Sequence, residues 1–197
     1  MIDNLEKILP LLKFESEDDF YYLQILQRKK ENPQLGSNSR VIKNYYIYSE
    51  EYLLKHYEEI KKLCGVFNAR ASLRLNKRSF EKVGFKTMTN LANTMMNKDY
   101  SFLKASYDKA CGLGHNDKNK TWIVDIDKNE VIWLEQIINA ISPCEPLGNK
   151  IVDQIPSKTG LHLITKPFNT VQFEVNFRFE LLAYKMGYIE LEIHKDN

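Results

Sequence analysis

The sequence predicts an α+β fold, and three observations lead there. Several short segments alternate apolar and polar residues with period two, as half-buried strands do. Between them lie stretches with helical periodicity that open on serine caps followed by acids or lysines. The first two strand-like segments are separated by a polar, turn-rich loop, the layout of an antiparallel hairpin. Together they describe an antiparallel or mixed sheet with helices packed on one face, preceded by an N-terminal hairpin–helix lobe.

The elements follow in order. Residues 3–13 read as a short helix capped by Asp3, with Leu5, Ile8, Leu9 and Leu12 on one face and Pro10 bending or limiting it. Phe20–Gln27 is aromatic-rich and reads as a strand. Arg28–Ser39 is a polar loop, and Val41–Tyr48 closes the hairpin. Ser49 caps a helix whose Leu53, Tyr57, Ile60 and Cys64 share a face, with Gly65 as its stop signal. Phe67–Asn76 has the clearest alternation in the chain. Phe67, Ala69, Ala71, Leu73 and Leu75 point one way; Asn68, Arg70, Ser72, Arg74 and Asn76 point the other. Ser79 caps a helix running to about Asn97, and a shorter helix ends at Gly112/Gly114. After a polar turn at 115–120 comes the strand Trp122–Asp127. Asp127 and Glu130 then have the spacing of a capping box for a helix bearing Val131, Leu134, Ile138 and Ile141, which ends at Ser142-Pro143. Lys150–Ile155 is a strand, 156–160 a turn, Leu161–Thr165 a strand, Thr170–Phe179 a helix, and Tyr188–His194 a last strand.

Composition narrows the function classes. The chain has 197 residues, 43% of them hydrophobic, enough for a real core. A net charge of +2 is too mild to imply a nucleic-acid partner by itself. Cys64, Cys111 and Cys144 are odd in number and lack C-x-x-C spacing, which argues against a disulfide framework or zinc site and for a reducing cytoplasm. The opening Met1–Glu6 is acidic, without a signal-peptide layout, and no apolar run approaches the roughly 18 residues of a membrane span. The expectation is a cytoplasmic protein with no membrane partner.

The chemistry gathers on polar strand faces. In Trp122-Ile123-Val124-Asp125-Ile126-Asp127, a strand turns Trp122, Val124 and Ile126 to the core and sets Asp125 and Asp127 together on the other face. Two carboxylates so placed suit an oxygen-ligated Mg²⁺ or Mn²⁺. The alternative is an exposed strand end whose Asp127 caps the following helix. His162 projects opposite Leu161 and Leu163, and Glu190 and Glu192 share a face of the last strand. Arg70 and Arg74 offer guanidinium groups to phosphate or form a solvated face. If these faces coincide on one sheet, the equipment is that of metal-assisted phosphoryl or nucleotidyl transfer.

The order Asp125-Ile126-Asp127, then Ser157-Lys158-Thr159-Gly160-Leu161-His162, then Glu192 (or Glu190) resembles the catalytic core of the archaeo-eukaryotic primase superfamily, in particular its small phage and mobile-element relatives. The likeness spans roughly residues 66–194, with 35 residues from Asp127 to His162 and 30 from His162 to Glu192. Gly160 stands where the family often has serine, and the third acid is Glu where Asp is commoner. The resemblance implies an RRM-like sheet core at 66–197 behind an N-terminal lobe at 1–65, forming one catalytic domain. It implies Mg²⁺ or Mn²⁺ held by Asp125, Asp127 and Glu192, with His162, Ser157, Lys158, Arg70 and Arg74 on the nucleotide. It further implies a nucleoside triphosphate, a DNA or RNA template and a replication partner protein. The expected function is nucleotidyl transfer of the primase–polymerase type in replication or repair. The alternatives are a non-catalytic single-strand-binding module and a metal-dependent nuclease using the same acids.

Overall fold

The computed structural model describes residues 2–113 and 119–185, with the backbone alone for 179–185. The strand expected at Tyr188–His194, with Glu190 and Glu192, lies outside the described residues, as does most of the turn at 115–120. Among the described residues, two antiparallel sheets and six α-helices make this a mixed α+β chain. It divides into two compact units, Leu5–Asp117 and Met1–Asn4 with Lys118–Asn197. Among the described residues no helix is long and apolar enough to cross a membrane.

In the first unit, α1 (Leu5–Ile8) gives way at Pro10 to a 3-10 turn, shorter than the helix expected over 3–13. Strands β1 (Asp19–Gln27) and β2 (Arg40–Ile47) pair antiparallel from Tyr21↔Ile47 to Gln27↔Arg40. The loop between them is pinned by Asn32, which is 1% exposed and donates to the Arg28 and Asn68 carbonyls. Helix α2 (Glu50–Val66) starts where Ser49 Oγ accepts the Tyr52 N–H at 3.1 Å. It does not stop at Gly65. Asn68 takes the left-handed conformation (φ 45°), and the Ala69 N–H returns to the Cys64 carbonyl at 2.9 Å. Asparagine tolerates that backbone conformation and serves as the C-terminal cap.

The long strand expected over 67–76 is only β3 (Arg70–Leu73), and it pairs with β1 as Leu23↔Leu73 and Leu26↔Arg70. Residues 70–73 therefore belong to the hairpin's sheet, and the chain divides after residue 117 rather than at 65/66. The short β4 (Arg78–Ser79) pairs with the start of β1. One face of this sheet packs Tyr21, Leu23, Ile25, Tyr45 and Ile47 against Leu53, Ile60 and Cys64 of α2. The other holds Phe20 and Tyr22 beneath α3 (Phe80–Met96) and α4 (Ser106–Gly112) through Val83, Ala110 and Cys111.

The second unit carries β5 (Trp122–Asp127), α5 (Leu134–Ile141), β6 (Ile151–Ser157), β7 (Gly160–Thr165) and α6 (Thr170–Lys185), with strand order β5-β7-β6. β6 runs two residues past Ile155, so β6 and β7 meet in a tight turn at Lys158-Thr159 rather than a loop over 156–160. Residues 131–133 form a 3-10 turn ahead of α5, and its three-residue period breaks the helical phase there. Val131, in the 3-10 turn, is exposed, while Leu134, Ile138 and Ile141 of the expected face pack into the core together with Trp133 and Ile137. These side chains meet Ile126 and Leu163 on one sheet face, extended by Phe168, Phe173 and Phe177. α6 outlasts the expected Phe179 boundary. Cys64, Cys111 and Cys144 are all free and buried, as expected of small apolar side chains.

Candidate metal and nucleotide site

The alternation read in β5 is realised in its burial. Ile126 is buried, Trp122 and Val124 are half-buried, and Asp125 and Asp127 are exposed. β7 supplies the neighbouring row because Asp125 pairs with His162 and Asp127 with Gly160. Directly opposed residues share a sheet face, so Asp125, Asp127 and His162 stand on the face away from α5 and α6. The His162 Nε2 lies 3.4 Å from Asp125 Oδ1, with the two side chains 39% and 72% exposed, open to a ligand from solvent. On the far side of β7, Ser157 pairs with Gly160. Asp127, Gly160 and Ser157 therefore form one row across the three strands.

Gly160 is required there by close approach. A Cβ on it would lie 1.9 Å from the Ile126 carbonyl oxygen and 2.9 Å from the Asp127 Cα. A hydrogen bond of 2.7 Å from the Lys128 N–H to the Thr159 carbonyl locks the strand end. The expected capping box forms by half. Glu130 Oε2 accepts the Asp127 N–H at 3.2 Å, and the Glu130 N–H bonds the Asp127 carbonyl at 2.8 Å. Among the described residues no hydrogen bond reaches the Asp127 carboxylate, so its oxygens are not consumed as a helix cap.

Lys158 sits exposed on the β6–β7 turn. Arg70, on β3, and Arg74, one residue past its end, are elsewhere, in the first unit. The four polar strand faces therefore do not coincide on one sheet. Arg70 is held by both carboxylate oxygens of Glu31. The Arg74 side chain is exposed, with no hydrogen bond or ion pair among the described residues. Among those residues no group of three or more His, Cys, Asp or Glu is arranged to hold a metal ion, and Glu190 and Glu192 fall outside them.

The first unit also contains a polar cluster that the sequence did not reveal. Tyr22 and Tyr46 both donate to Asp108 Oδ1, at 3.3 and 2.7 Å, and Gln24 Nε2 donates to the Tyr22 hydroxyl at 3.0 Å. Burial, reinforced by the Asp108 charge, raises the pKa of both phenols well above the usual tyrosine value. Burial likewise pushes the Cys111 thiol up to about 12, so it stays protonated and unreactive. These contacts join residues 62 and 86 positions apart, and no local pattern encodes them.

No protein-family model, curated protein or solved structure matches this chain.

Proposed function

We propose that the chain is a metal-dependent nucleotidyltransferase of the primase–polymerase kind, with the β5–β7–β6 sheet as its active-site platform and part of an RRM-like core. The observation that carries this reading is the pair Asp125 and Asp127. Both are exposed on one face, repel each other, and have His162 beside them. A solvated strand end needs no such pairing with a histidine. Asp125 and Asp127, with Glu192 as the third acid, would hold Mg²⁺ or Mn²⁺. Ions held there supply charge neutralisation at the attacking and leaving oxygens of an in-line displacement.

The chain's own residues do the rest. His162 orients Asp125 from the adjacent strand and, when protonated, donates to a phosphate oxygen. The Ser157 hydroxyl donates from one edge, and the Lys158 ammonium adds charge from the turn. Arg74 offers a separate phosphate contact in the first unit, and Arg70 does so only by giving up Glu31.

The test is incorporation of labelled nucleotide into a DNA or RNA substrate with Mn²⁺, by wild type and Asp125→Asn. The expected outcome is metal-dependent incorporation that falls at least 100-fold in the variant. Equal incorporation by both would remove Asp125 from the mechanism. Substrate cleavage without nucleotide would convert the reading to a nuclease.

A further inference from the structure

The loop between β1 and β2 is a pinned, strongly basic tip. Residues 28–44 carry Arg28, Lys29, Lys30, Arg40 and Lys43 against a single acid, Glu31. Glu31 turns to the Arg70 guanidinium, and Lys43 to Glu59. Four cations are left, all exposed and none in an ion pair among the described residues. The backbone gathers them: Gln27 pairs with Arg40, and the Lys29 N–H donates to Ser39 Oγ at 3.1 Å. Two 3-10 turns, Lys29–Glu31 and Pro33–Leu35, shape the loop. Buried Asn32 holds it from inside, donating to the Arg28 and Asn68 carbonyls and accepting from the Gln27 and Asn68 carboxamides. Like charges held close repel one another. A solvated turn gains nothing from holding them so, whereas a surface pre-formed for an anion does.

The basic track continues along the sheet. Arg28 is still extended (φ −82°, ψ 134°), so it follows Gln24 and Leu26 on one side of β1. Ser72 stands opposite Gln24, and the Arg74 N–H meets the Tyr22 carbonyl at 2.9 Å, which puts both residues on that same side. α3 and α4 cover only its Phe20–Tyr22 end. Exposed Ser72 and Arg74, with half-buried Gln24 and Asn44, leave much of the remainder polar and open to solvent. From residue 74 to residue 70 the chain runs about 13 Å, the reach of a few backbone phosphates. We propose that the tip and this side of the β2-β1-β3 sheet hold the phosphodiester backbone of a nucleic acid without reading its bases. Arg28, Lys29, Lys30, Arg40 and Arg74 neutralise phosphates, and the hydroxyl and carboxamide groups between them donate to phosphate oxygens. An anionic bilayer is the poorer match: between residues 28 and 44 only Val41 exposes a large apolar side chain to enter it. The proposal deepens the nucleotidyl-transfer reading by naming where its nucleic acid is held. The surface lies in the first unit, whereas Asp125 and Asp127 belong to the second.

Fluorescence anisotropy of the full chain with a labelled oligothymidylate of about 20 nucleotides tests it, in EDTA and without nucleotide so that metal chemistry plays no part. Binding is expected to weaken with salt, with a slope of log K on log[salt] near −3.5, from five phosphate contacts at about 0.7 each. Lys29→Gln/Lys30→Gln/Arg40→Gln should weaken binding at least tenfold at about 50 mM salt and flatten the slope by about 2, with an unchanged circular dichroism spectrum. Arg74→Gln, at the far end of the sheet side, should flatten it by about 0.7. Lys82→Gln/Lys86→Gln/Lys104→Gln removes the same charge from exposed positions elsewhere and should leave binding within about twofold of wild type. Asp125→Asn should bind like wild type, so a failure of the metal site leaves this result standing, and a failure here leaves the metal site standing. No binding at low salt, equal losses in the two triple variants, or a tip variant that binds like wild type would overturn the proposal. Tip-dependent binding to phosphatidylserine vesicles in place of the oligonucleotide would overturn it too, and would hand the tip to a membrane surface.

Discussion

Replacing Gly160 with alanine is expected to pry apart the site end of the β5–β7 ladder. The new methyl carbon would lie 1.9 Å from the Ile126 carbonyl oxygen and 2.9 Å from the Cα and carbonyl carbon of Asp127. An unstrained carbon–oxygen contact is about 3.3 Å, so the strands must separate by roughly 1.4 Å. All three obstructing atoms are backbone, and no rotamer change relieves them. Separation sacrifices ladder bonds at Asp127/Gly160 and strains the 2.7 Å bond from the Lys128 N–H to the Thr159 carbonyl. Two lost backbone hydrogen bonds with overpacking strain amount to about 3–5 kcal/mol. The assay is urea unfolding followed by tryptophan fluorescence, because both tryptophans, Trp122 and Trp133, lie in the Lys118–Asn197 unit. The midpoint should fall with an unchanged slope. A loss below about 1 kcal/mol would refute the reasoning, because overpacking alone costs that much.

Other outcomes follow from the first unit. Asp108→Ala removes the shared acceptor of the Tyr22 and Tyr46 hydroxyls, with Tyr22 only 1% exposed. It should cost about 2–4 kcal/mol in denaturant unfolding followed by far-UV circular dichroism. Acid should weaken the same unit through Asp19. Burial opposes ionisation of that carboxyl, but Lys77 and the Glu15 and Ser16 N–H groups outweigh it and hold the pKa below the usual value. Stability from this shift is present above the unfolded carboxyl pKa of about 3.9 and is lost as pH falls through the lower folded value. Lys77, raised by Glu15 and Asp19 against its own burial, gives stability that is lost only as pH rises through its folded pKa. Lys77→Met should therefore be destabilising at neutral pH, and its difference from wild type should shrink below about pH 4. A constant difference down to pH 2 would contradict the assignment.

Where local pattern decides structure, the sequence was readable. β5 alternates and is exposed on alternate residues, the hairpin pairs as its composition suggested, and Ser49 and Ser79 cap their helices through side-chain oxygens. The Asp125–His162 neighbour pair was also within reach, because both residues sit on the polar side of alternating strands. What escaped was set by distance or by phase. β3 looked like the first strand of a core sheet, yet its partner is β1, some fifty residues earlier in the chain, so Arg70 and Arg74 left the predicted constellation. A 3-10 turn at 131–133 took Val131 off the buried face that Leu134, Ile138 and Ile141 keep. Gly160 appeared only as a departure from a motif. Its necessity lies in the backbone of a strand 33 residues away, which no local pattern reports. Strong turn chemistry at Asn68 overrode the more familiar signal of Gly65.

The central claim is that Asp125 and Asp127 form a metal-dependent nucleotide site. Thermal unfolding with Mn²⁺ and a nucleoside triphosphate tests it most directly, comparing wild type with Asp125→Asn/Asp127→Asn by tryptophan fluorescence. A ligand bound only to the folded state at a hundred times its Kd adds about 2.7 kcal/mol. That corresponds to a rise of roughly 5–10 °C in Tm for a chain of this size. The account predicts such a rise in wild type only when metal and nucleotide are both present, and none in the variant. An equal rise in both proteins, or no rise in wild type at saturating ligand, would contradict it.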